Sequence, residues 1–209
     1  MIDSLKHQWF QLATKYTKDN ILTESLWIEI KTQYELNARY YHNFSHIDAM
    51  LKQAETHKET IENYNAFLFV IWYHDIIYKP TKQDNESQSA VLAKKRLKKL
   101  HLKQNTLENI EQLIISTKKH EIILDKNKDN ALLLDIDLSI LGSDWKTYQK
   151  YTENIRKEYR IYPSFIYNKG RKQVLEHFLQ RETLFFTQPY QSKLETQARK
   201  NILKEIELL

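Results

Sequence analysis

Only 2 glycines and 3 prolines punctuate this 209-residue chain, and that scarcity constrains its fold more than any motif does. Gly-rich phosphate loops and dinucleotide fingerprints are absent, which excludes Walker-type and Rossmann-type nucleotide binding. Strand-like alternation of apolar and polar residues is also missing. Segments with a helical period follow one another instead, and they predict an all-α fold. Hydrophobic residues make up 41% of the chain and include 13 Tyr and 4 Trp, which is ample for a packed core and excludes a disordered chain.

The pattern places helices over Ser4 to Tyr16, over Glu24 to Leu36 with Thr23 as N-cap, and over Ile47 to Glu55 with Ser45 as cap and His46 in the first turn. A helix-length apolar run covers Ala66 to Tyr78, and a loop at Lys79 to Gln83 separates it from an amphipathic helix over Asp84 to Leu100. Asn105-Thr106-Leu107-Glu108 reads as a variant capping box opening a helix to Lys119. A polar loop then precedes a helix over Leu132 to Leu141, with Gly142 as its C-cap. Helices near Asp144 to Arg160, Asn168 to Arg181 and Ser192 to Leu209 complete the chain. No repeat or separating linker is visible, so residues 1–209 are expected to form a single domain, a bundle of about 8–10 helices.

The N-terminal stretch from Met1 to Trp9 lacks the apolar core of a signal peptide, and no apolar run reaches membrane-span length. A soluble, cytoplasmic protein with no membrane partner is the expectation. The net charge of +5 permits an anionic partner without demanding one. Much of the excess is lysine on exposed helix faces, Lys94-Lys95-Arg96 and Lys98-Lys99 among them. There are no cysteines, so disulfides, thiolate nucleophiles and Cys-ligated zinc are excluded. Any metal must be held by His, Asp and Glu.

Chemistry enters where packing would prefer something else. His74 and Asp75 stand side by side in the apolar run from Ala66 to Tyr78. An ionisable pair inside an apolar helix costs several kcal/mol, roughly, unless partners or a metal compensate. His42 and His46 flank Asn43-Phe44-Ser45, and Asp135 and Asp137 interrupt a run that is otherwise nearly all Leu and Ile. A lone buried His or Asp is ordinarily satisfied by its neighbours. Together these residues supply two or three imidazoles and two or three carboxylates, a donor set suited to a divalent ion with open positions. Asp135 and Asp137 are two apart on a helix and point about 200° away from each other, so only one can face a given ion.

The order of these residues resembles the pattern H…HD…D of the HD superfamily of metal-dependent phosphohydrolases. The match runs through His46, then His74-Asp75, then Asp137, which sits at the second Asp of an Asp-x-Asp-Leu context. Longer stretches are similar to a bacterial group of HD phosphohydrolases of about this length: Arg39 to His46, Trp72 to Tyr78, Asp84 to Ala90, Ser116 to His120, Asp135 to Gly142, Ile155 to Tyr159 and Gly170 to Leu175. The resemblance covers most of the chain. It implies an HD-type bundle whose metal site is built from about residues 39–142, with the helices of 144–209 completing the core. It implies His46, His74, Asp75 and Asp137 as ligands of a divalent ion, with Mn, Mg, Fe, Zn, Ni and Co all compatible. Asp135 is then left to contact a ligand or a neighbouring helix. A narrower likeness joins Tyr41-His42-Asn43-Phe44-Ser45-His46 to the Tyr-His-Asn-x-x-His segment of class I cyclic-nucleotide phosphodiesterases, and implies His42 as general acid beside the ligand His46.

Supporting roles follow from charge and placement. Glu86 and Asp84 open the helix after the metal-bearing one and are candidates to orient an attacking water. Lys118 and His120 end a helix and are candidates to face an anionic substrate, and Arg156, Lys169 and Arg171 are candidate donors to its phosphate oxygens. Each of these cations is otherwise an ordinary solvated helix charge. The expectation is a hydrolase for phosphomonoesters or phosphodiesters, with a phosphorylated small molecule, a small nucleotide by analogy, as substrate; homo-oligomerisation is compatible with it. Two rival readings are a nucleotide- or nucleic-acid-binding helical protein with a structural metal, supported only by positive charge, and an HD-type di-iron oxygenase, which needs further ligands such as His120 or Glu86.

Overall fold

Every regular element among the described residues, 1–124 and 127–209 of this computed structural model, is helical. The all-α expectation holds, with ten α-helices and three short 3-10 turns among those residues. They form two units, Met1–Leu133 and Leu134–Leu209. No helix among them is long and apolar enough to cross a membrane.

The first unit contains α1 (Ile2–Ala13), α2 (Asn20–Tyr34), α3 (Phe44–Thr56), α4 (Tyr64–Tyr73), α5 (Asn85–Leu97) and α6 (Gln104–Ser116), with 3-10 turns at Lys58–Thr60 and Lys98–Leu100. Helix α7 (Lys128–Leu138) begins there and continues into the second unit. The polar loop before α7 includes residues 125 and 126, which lie outside the described residues.

Helix α4 is apolar on nearly every face and is the centre of this unit, as its sequence predicts. Ala66, Phe67, Phe69, Val70, Ile71, Trp72 and Tyr73 are all buried, and α3, α5 and α6 pack around them. Trp9 of α1 sits edge-on to Phe69, Trp72 and Tyr73 at 5.9, 5.9 and 6.1 Å between centroids. Its indole N–H donates to the Thr23 carbonyl at 3.2 Å, so this large buried ring leaves no polar atom unpaired.

The helix starts differ from the sequence reading because short polar side chains earlier in the chain reach the free N–H groups first. Asp19, not Thr23, caps α2 by accepting from Leu22 N–H at 2.9 Å, and Thr23 instead donates its hydroxyl to the Asp19 carbonyl. Asn43, not Ser45, caps α3, accepting from Ser45 N–H at 2.8 Å. The Asn105 capping box does not form. Helix α6 starts two residues earlier, at Gln104, and Asn105 accepts only from its neighbour Thr106. With so little glycine, left-handed backbone falls to other residues: His101 and His120 hold φ of 61° and 49°.

The second unit carries the end of α7, a 3-10 turn at Ser139–Gly142, and α8 (Trp145–Glu158), α9 (Ser164–Leu179) and α10 (Gln188–Leu208). Gly142 is not a left-handed cap, since no glycine has positive φ. It is required by close approach, because a Cβ there would stand 2.5 Å from Leu194 Cβ on α10. Asn201 fastens the same turn, donating to the Leu141 and Ser143 carbonyls at 2.8 Å each.

Candidate metal centre

The centre starts with two helix ends. Asn43 begins α3 and so places His46 in its first turn, where the side chain is buried. Helix α4 stops at Tyr73, well short of the Tyr78 expected from the apolar run. His74 is its C-cap and Asp75 lies in the turn beyond. The physical reason lies in side chains from distant segments, which take the carbonyls and N–H groups that a longer helix would have used. Tyr34 donates its hydroxyl to the Trp72 carbonyl at 3.1 Å. Arg39 donates to the Asp75 and Ile76 carbonyls at 2.6 and 2.8 Å. Ser89 accepts from Ile77 N–H at 3.0 Å and donates to its carbonyl at 3.3 Å. Asn85 accepts from Lys79 N–H and donates to its carbonyl, both at 3.0 Å. The turn from 72 to 79 is thereby fixed by α2, α5 and the loop around Arg39.

The donors then meet. His74 is 1% exposed, and its Nδ1 lies 3.0 Å from the Ile71 carbonyl. A carbonyl only accepts, so Nδ1 carries a proton. The other ring nitrogen, Nε2, stands 3.3 Å from His46 Nε2 and 3.2 Å from Asp75 Oδ2. A proton on His74 Nε2 serves Asp75, whereas a cation among the three donors serves all of them. The three donor atoms all lie within 4.8 Å of one another. Donors bound to one ion at about 2.1 Å stand about 3.0–3.4 Å apart in octahedral or tetrahedral geometry, and the two separations at His74 Nε2 match that spacing. Tyr34 senses the carboxylate as well: burial, and next the charge of Asp75, hold its hydroxyl well above the ordinary tyrosine range.

His42 stands beside this group but not in it. Its ring stacks on Tyr78 at 4.1 Å, meets Tyr41 edge-on at 5.0 Å, and lies 6.2 Å from the His46 ring. Glu86 is half-buried in the first turn of α5, between Asn85 and the rest of the helix. Lys118 is exposed in the turn after α6, and His120 is the half-buried left-handed residue that ends that turn. Neither Glu86 nor His120 belongs to the donor group.

The remaining candidates lie in the second unit. Asp135 is fully buried and accepts from Phe186 and Thr187 N–H at 2.7 Å each, so it fixes the approach to α10, a helix contact of the kind expected for it. Burial pushes its carboxyl up to about 6 against the pull of those donors. Asp137 is half-buried on α7, and its charge bears on Tyr151. Arg171 is engaged inside the protein, forked onto Glu205 at 2.7 and 3.1 Å with Tyr151 beneath the guanidinium. Arg156 donates to the Tyr159 and Tyr162 carbonyls and lies over Tyr167, while Lys169 is exposed.

Arg39, Asn85 and Ser89 were not picked out as site residues by the sequence reading, although each lies in a stretch that carries the family resemblance. An arginine heading an aromatic segment, Arg39-Tyr40-Tyr41, was the available signal. Compared with family models, with curated proteins and with solved structures, the chain matches none.

Proposed function

We propose that this chain is a metal-dependent phosphohydrolase of the HD type whose centre is built on His46, His74 and Asp75. The observation that carries the reading is the convergence of a second imidazole nitrogen and a carboxylate oxygen on Nε2 of His74, at 3.3 and 3.2 Å. A divalent ion held by these residues supplies Lewis acidity toward a phosphoryl oxygen and activates water near neutral pH. Three protein donors leave coordination positions for water and substrate, the arrangement of a catalytic rather than a closed structural site.

His42 is the residue to protonate the departing oxygen. It is close to the donors without being one of them, and its ring is held by Tyr78 and Tyr41. The preference for a small nucleotide, and the inclusion of Asp137 as a further ligand, come from the family resemblance. Asp137→Asn tests the second of these by the metal content it retains.

The decisive experiment screens metal-replete protein against nucleotides, cyclic nucleotides and generic phosphoesters, with metal content measured on the same sample. Asp75→Ala should abolish hydrolysis while circular dichroism shows the helices intact. An unchanged rate in that variant would sink the reading.

A further inference from the structure

The guanidinium of Arg39 touches both parts of the centre. Nη1 donates to the Asp75 carbonyl at 2.6 Å and to the His42 carbonyl at 3.1 Å, and Nη2 donates to the Ile76 carbonyl at 2.8 Å. The guanidinium carbon lies 5.0 Å from the Tyr34 ring centroid and 5.6 Å from that of Tyr78. Tyr78 is the ring on which His42 stacks at 4.1 Å. One side chain thus reaches the ligand-bearing turn through two carbonyls, and the His42 loop through one carbonyl and one ring.

We infer that Arg39 is a positioning residue whose fork sets where the Asp75 carboxylate and the His42 imidazole stand. Asp75 lies past the last residue of α4, where its carbonyl and the next one accept from Arg39. Without the fork, this turn and with it Asp75 Oδ2 shift relative to His74 Nε2, and Tyr78 loses the cation that backs its ring. Arg39 is also 6% exposed with its Nε buried and without a hydrogen-bond partner. A side chain kept only to fill space would avoid that cost, and methionine fills similar space with no N–H to satisfy. Lysine keeps the charge, but its single nitrogen cannot reproduce a planar fork onto three carbonyls of two segments.

The inference rests on the metal-centre reading for Asp75, and on ring contacts alone for His42. The test uses the full chain as wild type, Arg39→Met, Arg39→Lys and Tyr78→Leu. Cobalt(II) affinity and absorption spectrum are measured alongside the thermal melt and the His42 ring resonance of each metal-free protein. Loss of an outer partner of a metal ligand typically weakens binding about 10–100-fold, and both Arg39 variants should weaken cobalt by that factor and alter its spectrum. Both should also move the His42 resonance. Tyr78→Leu should move the His42 resonance and leave cobalt affinity near wild type. An Arg39→Met protein that melts earlier yet keeps cobalt affinity and spectrum overturns the inference, because Arg39 is then only part of the scaffold. A wild-type protein that binds no cobalt defeats the metal reading instead. The His42 resonance then decides the role of Arg39 alone: a shift in Arg39→Met supports it and an unmoved signal overturns it.

Discussion

Adding a divalent cation to the metal-free protein should raise the melting temperature of the unit that holds the three donors. His74 Nε2 lies 3.3 Å from another imidazole nitrogen and 3.2 Å from a carboxylate oxygen, with His74 only 1% exposed. Unfolding disperses donors that belong to different helices, so an ion binds the native form far better than the unfolded chain. At a free ion concentration about 100 times Kd, this linkage contributes about 2.7 kcal/mol. For a chain of about 150–250 residues each kcal/mol moves the midpoint by about 2–4 °C, so the expected rise is about 5–11 °C. Calorimetry against a titration of manganese, cobalt, nickel or zinc measures it, and the rise should grow with the logarithm of ion concentration. His74→Ala removes the donor on which the other two converge and should erase most of the rise. An equal rise in His74→Ala and in wild type would refute the reasoning, because the ion would then be held elsewhere.

Three other outcomes follow from particular contacts. Asp135→Asn should destabilise the second unit by about 2–3 kcal/mol in urea unfolding, because an amide cannot accept from both Phe186 and Thr187 N–H and turns an NH2 toward one of them. The two glycines should respond with opposite sign: Gly142→Ala should cost about 1–3 kcal/mol by forcing its Cβ against Leu194, whereas Gly170→Ala, with nothing within 4 Å, should gain about 0.5–1 kcal/mol in the same assay. His42→Asn should keep its metal and lose about 10²–10⁴-fold in rate on phosphoesters with poor leaving groups, with a much smaller loss on a nitrophenyl ester that needs little protonation; equal losses on both would argue against the acid role.

Much of this was legible in the residues and some was not, and the division has a physical basis. An all-apolar helix around Phe67 and Trp72 has one place to go, so α4 was readable as the centre of its unit. His42, His46, His74, Asp75, Asp135 and Asp137 stood out because each departs from what packing would prefer, and the choice of His46, His74 and Asp75 among them came from the family resemblance. The stopping point of α4 was hidden, because nothing between Tyr73 and Tyr78 breaks a helix locally. The stop is imposed by Tyr34, Arg39, Asn85 and Ser89, which come from other segments. Caps were misread for a related reason, since Asp19 and Asn43 precede the residues whose pattern advertised a helix start. Gly142 was legible as special, but the cause is Leu194, fifty-two positions later and invisible to any local rule. The arginines were the hardest: Arg156 and Arg171 read as phosphate donors or solvated helix charges and Arg39 drew no role, yet all three donate to groups of the protein itself.

The end of α4 has a consequence for any attempt to move this centre elsewhere. Neighbouring residues on an α-helix diverge by about 100°, so the bite of a His-Asp dipeptide depends on how the chain around it is held. Here the donor atoms come within 3.2 Å at a helix end, where His74 keeps helical dihedrals and Arg39 holds the Asp75 carbonyl. The transferable unit is therefore the dipeptide together with the four outside side chains that hold the turn, and grafting the two letters alone should yield no chelate. The same logic predicts silent lesions. A substitution such as Ser89→Ala removes no metal donor, yet by loosening that turn it should shift Asp75 and leave an intact ligand set without a grip.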